Sequence, residues 1–359
     1  MKSFMMYIKS RIQIMIFTIL EKYLSKENQE KSNSFVFVNL SQLGDVVVSS
    51  LILENDDTLT SKNIYFIINS EYKNLFSGYN GKINIIGLNV NLYRWNIFYK
   101  IKMLRVLNAL KIKNIYNLSP GRGYSNDEFC LIPNSINKYT ITKDSYHCNV
   151  KIKNYFDKKY DFILFNEKRN EYEKHLMLLQ LLTGKKEVST KNIKTFTVIS
   201  EKEKDYILIS PFTSNELKDW GIDKYKLLCE KLSHNYKIVI TGSQHSGKLL
   251  REIKNNNSKI IINIDSLDRI PSIIFNSCLY IGNDSGISHI AFRMNKKMLV
   301  ILSGAFYGKF FPVYGYPNIL FANKYMDCYN CKLNCLYKLP KCLNEISVEE
   351  VFKMVKKLI

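Results

Sequence analysis

Residues 278–304 read CLYIGNDSGISHIAFRMNKKMLVILSG, and they decide the fold. CLYIGND (278–284) is a short apolar run that ends in small and polar residues, 286–294 has helical spacing, and MLVILSG (298–304) is a second apolar run. Strand, helix and strand joined this closely form a βα unit, whose strands lie parallel in one sheet. The same alternation extends upstream through YILISP (206–211), a helix around 223–234, YKIVITG (236–242), a helix around 246–255, KIIINI (259–264) and a short helix around 267–276. A second set begins at FVFVNL (35–40) and continues through NIYFIIN (63–69), KINIIGL (82–88), a helical stretch at 96–112 and NIYNLS (114–119). The expected fold class is α/β, with two Rossmann-like βα domains facing a central cleft.

Expected boundaries follow from composition. Residues 1–34 are a basic N-terminal extension, 35–190 the first domain, 191–345 the second, and 346–359 a closing helix. KKEVSTKNIKTFTVISEKEK (185–204) is lysine-rich and weakly patterned, so it is the linker candidate. In the closing helix Ser347 stands three residues before Glu350, a capping box.

The chain has 359 residues, 46% of them hydrophobic, and a formal net charge of +20. That charge points to acidic partners such as phosphorylated substrates or anionic lipid. Only eight of the 52 basic residues are arginine, and no basic patch is interleaved with stacking aromatics, so nucleic acid is not an expected partner. At the N-terminus the uncharged run from Ile12 to Leu20 is nine residues, against the roughly 20 that cross a bilayer. No small-residue cleavage site follows it. Lys2, Lys9, Arg11, Lys22 and Lys26 punctuate Met, Phe, Ile and Leu, which suits either a helix lying on an anionic membrane surface or one packed on its own domain. Both place the protein in the cytoplasm, the first of them peripherally on the inner membrane.

Chemistry is expected in the loops that follow strands. Asp45, in Ser41-Gln42-Leu43-Gly44-Asp45, is either a helix cap or a general base facing the cleft. Thr213, Ser214 and Lys218 offer hydroxyls and a point charge to a diphosphate, or form a polar turn. Asp284, Ser285 and Gly286 precede a helix whose free N–H groups can meet phosphate, with His289 one turn inside. Arg122 can hold an acidic acceptor or be an ordinary loop arginine. VITGSQHSGKLL (239–250) brings Gly242, Gly247 and Lys248 close to a P-loop, but Leu249 stands where a Mg²⁺-holding hydroxyl is needed. A P-loop hydrolase is the competing class.

LSQLGD (40–45), SPFTSNELKDW (210–220) and IGNDSGISHIA (281–291), in this order, resemble glycosyltransferase family nine, the bacterial heptosyltransferases of lipopolysaccharide core synthesis. The resemblance runs from about Phe35 to the end. It implies a GT-B fold, a closing helix that returns to the first domain, and inverting, metal-independent transfer from ADP-heptose to a saccharide acceptor, which can be lipid-linked. A protein hydroxyl as acceptor, or another nucleotide sugar as donor, stays open. By the resemblance Asp45 is the base and Lys218 neutralises the leaving diphosphate. Thr213, Ser214, Gly242 and the loop Asp284, Ser285, Gly286 and His289 match the donor side, while Gly44 and Arg122 fall on the acceptor side. Two departures lie near the donor: Ser243–Lys248 contains no acidic residue, and Ser303-Gly304-Ala305 stands where the family commonly has Gly-Pro-Thr.

Cys328, Cys331, Cys335 and Cys342 form C-x2-C-x3-C-x6-C. In a reducing compartment such a cluster is a structural zinc or iron site or a set of free thiols before it is a set of disulfides. Cys130, Cys148, Cys229 and Cys278 are scattered.

Overall fold

The structure is a computed structural model that describes residues 2–24, 33–59, 63–142, 150–165, 169–187, 195–200, 206–337 and 339–359. Most of the linker candidate, residues 25–32 of the extension and Cys148 lie outside the described residues. The chain divides into two compact units, the first made mainly of residues 1–168 with 173–188, the second mainly of 189–359 with 169–172.

The first unit is built on strands β1 (Ser34–Asn39), β2 (Asn63–Asn69), β3 (Ile83–Leu88), β4 (Ile112–Asn117), β5 (Ser135–Thr140) and β6 (Phe162–Ile163). They form one sheet in the order β3-β2-β1-β4-β5-β6, with every pair parallel. β-branched and aromatic residues fill its centre: Val36, Phe37, Val38, Ile64, Phe66 and Ile115 are fully buried. The N-terminal helix Lys2–Leu24 supplies Phe17, Leu20 and Leu24 to this core. Of the two roles open to the extension, one face therefore packs on its own domain.

The second unit repeats the plan with β7 (Tyr206–Ser210), β8 (Lys237–Thr241), β9 (Ile260–Asn263), β10 (Leu279–Asn283), β11 (Met298–Ile301) and β12 (Ile319–Ala322). Its order is β12-β11-β10-β7-β8-β9, again parallel throughout. Each sheet thus reads 3-2-1-4-5-6 in its own strand numbering, the dinucleotide-binding order. Strands buried on both faces read as continuous apolar runs, and YILIS of β7 and LYIGN of β10 are buried at every position. The capping box forms, with Ser347 accepting from the Glu350 N–H at the start of helix Val348–Leu358. The apolar face of that helix, Val351, Val355 and Leu358, belongs to the core of the second unit.

Candidate functional site

In a sheet of this order the loops leaving the first and fourth strands part to opposite sides, and ligands sit in the crevice outside their carboxyl ends. In the second unit those strands are β7 and β10, which are neighbours. The β7 loop carries Thr213 to Lys218 and the β10 loop carries Asp284 to His289, so their charged groups meet. Lys218 Nζ lies 3.6 Å from one Asp284 oxygen, and His289 Nε2 lies 3.5 Å from the other. His289 Nδ1 faces the Tyr172 hydroxyl at 2.9 Å, and its ring stacks on Phe311 with centroids 4.6 Å apart. The two ring nitrogens thus each face a polar neighbour, Nε2 the Asp284 carboxylate and Nδ1 the Tyr172 hydroxyl.

Burial of the Asp284 carboxyl by itself favours the neutral acid, but Lys218 and His289 outweigh it and hold the group well below the usual carboxylate range. The sign follows from linkage: this carboxylate's contribution to stability is complete above its unfolded value of about 3.9, and is lost only as pH falls through the lower folded value. The Asp284 carboxylate stays charged at physiological pH. Beside it, helix Gly286–Arg293 begins without a side-chain cap, and the first N–H groups of a helix have no intrahelical partner. A cation and a free helix N-terminus side by side can receive a diphosphate.

The frame beneath is built of buried polar side chains. Asn283 donates to the Pro211 carbonyl at 2.7 Å and accepts from the Tyr225 hydroxyl at 3.0 Å, which joins the two loops. Gly282 is required by contact, since a Cβ there would lie 2.4 Å from the Tyr280 hydroxyl oxygen. At Gly242, a Cβ would press on the Phe212 ring at 3.1 Å, so this glycine lets an aromatic side chain cover the turn. Lys248 is exposed, on a helix that buries Leu250 and Ile253. A P-loop lysine would instead reach back over the glycine turn to phosphates.

The Thr213 hydroxyl is engaged within its own turn. It donates to the Asn215 carbonyl at 2.8 Å and accepts from the Asn215 N–H at 3.1 Å, while the Thr213 N–H goes to Asp219. The hydroxyl proton serves the turn that aims Lys218, and the polar-turn alternative describes it. Ser214, next to it, is exposed.

In the first unit the corresponding strands are β1 and β4, also neighbours, and Ser41 Oγ meets Ser119 Oγ where their loops begin. Asp45 lies in the first turn of helix Leu43–Ser49, but the N-cap is Gln42, which makes no side-chain cap. Asp45 is therefore not the cap. Its carbonyl accepts from the buried Asn39 side chain at 3.0 Å, and Gly44 and Asp45 are both half-buried. Arg122 is not at a ligand surface. Its guanidinium is fully buried and pairs with Asp127 at 2.9 and 3.1 Å and with Asp157, because a charge in the core needs countercharges on every side.

The profile of "Glycosyltransferase family 9 (heptosyltransferase)" matches residues 150–336, just over half of the chain. The chain belongs to glycosyltransferase family 9. No curated protein matches the sequence. Among solved structures, a family 9 glycosyltransferase from Veillonella parvula is 17% identical, with a TM-score of 0.71 over 92% of this chain and 98% of that one. The Escherichia coli heptosyltransferase WaaC, solved with ADP, is 13% identical with a TM-score of 0.67, over 91% of this chain and all of that one. The iron-containing dodecameric glycosyltransferase TibC of enterotoxigenic E. coli is 12% identical with a TM-score of 0.53, over 92% and 76%. At these identities the likeness concerns the fold, and it is the GT-B heptosyltransferase fold.

The clustered cysteines of this family 9 enzyme match the free-thiol alternative. Cys328, Cys331, Cys335 and Cys342 are free and half-buried and line one cavity with Gly304, Leu333 and Leu336. Cys342 Sγ accepts the Gly304 N–H at 3.4 Å, and burial pushes its thiol up. Among the described residues no group of three or more His, Cys, Asp or Glu side chains is arranged to hold a metal.

Sequence reasoning missed Tyr172. It is separated from His289 by 117 positions and carries no motif, and only the fold brings it there.

Proposed function

We propose that this glycosyltransferase moves a heptose, with inversion and without a catalytic metal, from ADP-heptose to a saccharide acceptor of the bacterial envelope such as lipopolysaccharide core. The observation that carries this is the ion cluster of Lys218, Asp284 and His289 beside a free helix N-terminus at the strand-order reversal of the second unit. WaaC has been solved with ADP and with ADP-2-deoxy-2-fluoro heptose, which supports that nucleotide and sugar.

In this mechanism the Asp45 carboxylate takes the proton of the acceptor hydroxyl as its oxygen bonds to the anomeric carbon. The bond from that carbon to the diphosphate breaks, and its electron pair leaves on the β-phosphate oxygen. Lys218 and the N–H groups at Gly286 stabilise that charge. Asp284 holds the ammonium in place until the diphosphate shares it, and Tyr172 fixes the His289 ring. A lysine already placed for the leaving group performs the task that Mg²⁺ performs elsewhere.

The test is donor consumption in EDTA with ADP-heptose, UDP- and GDP-sugars, in the presence of deacylated lipopolysaccharide core. ADP is expected from ADP-heptose, in step with glycosylated acceptor and unaffected by the chelator. Turnover of a UDP- or GDP-sugar alone, or only with Mg²⁺ restored, would refute the assignment.

A further inference from the structure

The N-terminal helix buries one face and leaves the other uncovered. Met15, Ile19 and Tyr23 are 56%, 59% and 63% exposed, and their spacing of four sets them on one stripe. Helices Val90–Trp95 and Ile97–Ala109 add Trp95 at 86% and Phe98 at 81% exposure. Arg105 donates to the Tyr23 hydroxyl at 3.4 Å and Asn108 to the Leu24 carbonyl at 3.0 Å, so helix Ile97–Ala109 lies beside the end of the N-terminal helix.

Charge selects the occupant. Lys9, Arg11, Lys22, Arg94, Lys102 and Arg105 are exposed on these helices. Across 9–24 and 90–109 the only acidic residue is Glu21, whose carboxylate is taken by Lys159 at 2.7 Å. A second copy of a chain with net charge +20 would be repelled by such a face, whereas anionic headgroups would neutralise it. Tyr and Trp favour the headgroup level of a bilayer, and basic residues around an apolar face are what an interfacial helix uses.

We propose that this face docks the enzyme on an anionic membrane surface, with Trp95 and Phe98 inserted among the headgroups and Lys102 and Arg105 bound to lipid phosphate. Docking does not depend on which sugar is transferred, so its failure would leave the proposed reaction standing.

The test is binding of the full-length protein to vesicles of phosphatidylcholine alone and of equimolar phosphatidylcholine and phosphatidylglycerol. The chain has two tryptophans, and Trp220 is 3% exposed, so a blue shift on binding reports Trp95. Binding only to the anionic vesicles, with that shift and with release by salt, is expected. Lys102→Ala with Arg105→Ala should weaken it about 25-fold, at roughly fivefold per charge, and Trp95→Ser with Phe98→Ser should abolish the insertion. Equal binding to both vesicles, no binding, or unchanged binding by both variants would overturn the proposal. So would a dimer that the Trp95→Ser, Phe98→Ser variant dissociates, since the face would then belong to a second copy.

Discussion

Asp45→Asn is expected to lower turnover about 10²–10⁴-fold, the usual contribution of a positioned general base, while donor affinity stays within about twofold, a change worth roughly 0.4 kcal/mol. Asparagine keeps the volume and polarity of the side chain and removes only its basicity. Asn39 grips the backbone carbonyl of residue 45, not its carboxylate, so the loop keeps its path. Initial rates at saturating donor, with ADP affinity measured separately, check this. A variant that turns over like the wild type would remove Asp45 from the chemistry.

Arg122→Ala should destabilise the protein by about 3–5 kcal/mol, the cost of breaking a buried ion pair, out of a total that is typically about 5–15 kcal/mol. Burial opposes the guanidinium's charge, but Asp127, Tyr160 and Asp157 more than offset it, so Arg122 holds its proton more tightly than a free arginine. Truncation strands Asp127, which is 1% exposed and also receives the Tyr160 hydroxyl at 2.8 Å. Arg122→Lys should recover only part of the loss, because an ammonium cannot serve both Asp127 oxygens in a fork. Denaturant unfolding measures both variants. A stable Arg122→Ala enzyme with a raised acceptor KM would instead restore this arginine to the acceptor site.

The central strands were legible because their residues are apolar on both faces, as in FVFVN of β1 and YILIS of β7. β5 was not. SINKYT is largely half-buried and carries a lysine, and β6 beside it has two residues. Near the edge of a sheet little apolar surface is covered, so periodicity fades. β12, at the other sheet's edge, is four residues long.

At the site, loops that follow strands were readable because glycine, small residues and charge concentrate there. Partners were not: Arg122 sits in a glycine-flanked loop that looks exposed, and Asp157, 35 residues on, is what makes it a core residue. Thr213 illustrates the converse, since a hydroxyl beside a candidate phosphate site also has the local geometry to bind its own turn.

The most direct test of the account is calorimetric titration of ADP into the wild type and Lys218→Ala, both in EDTA. Binding by the wild type without metal, weakened about tenfold or more in the variant through loss of a charge-assisted contact worth roughly 1.5–3 kcal/mol, is the predicted result. ADP affinity that needs Mg²⁺, or that Lys218→Ala leaves unchanged, would contradict the placement of the donor at the Lys218–Asp284–His289 cluster.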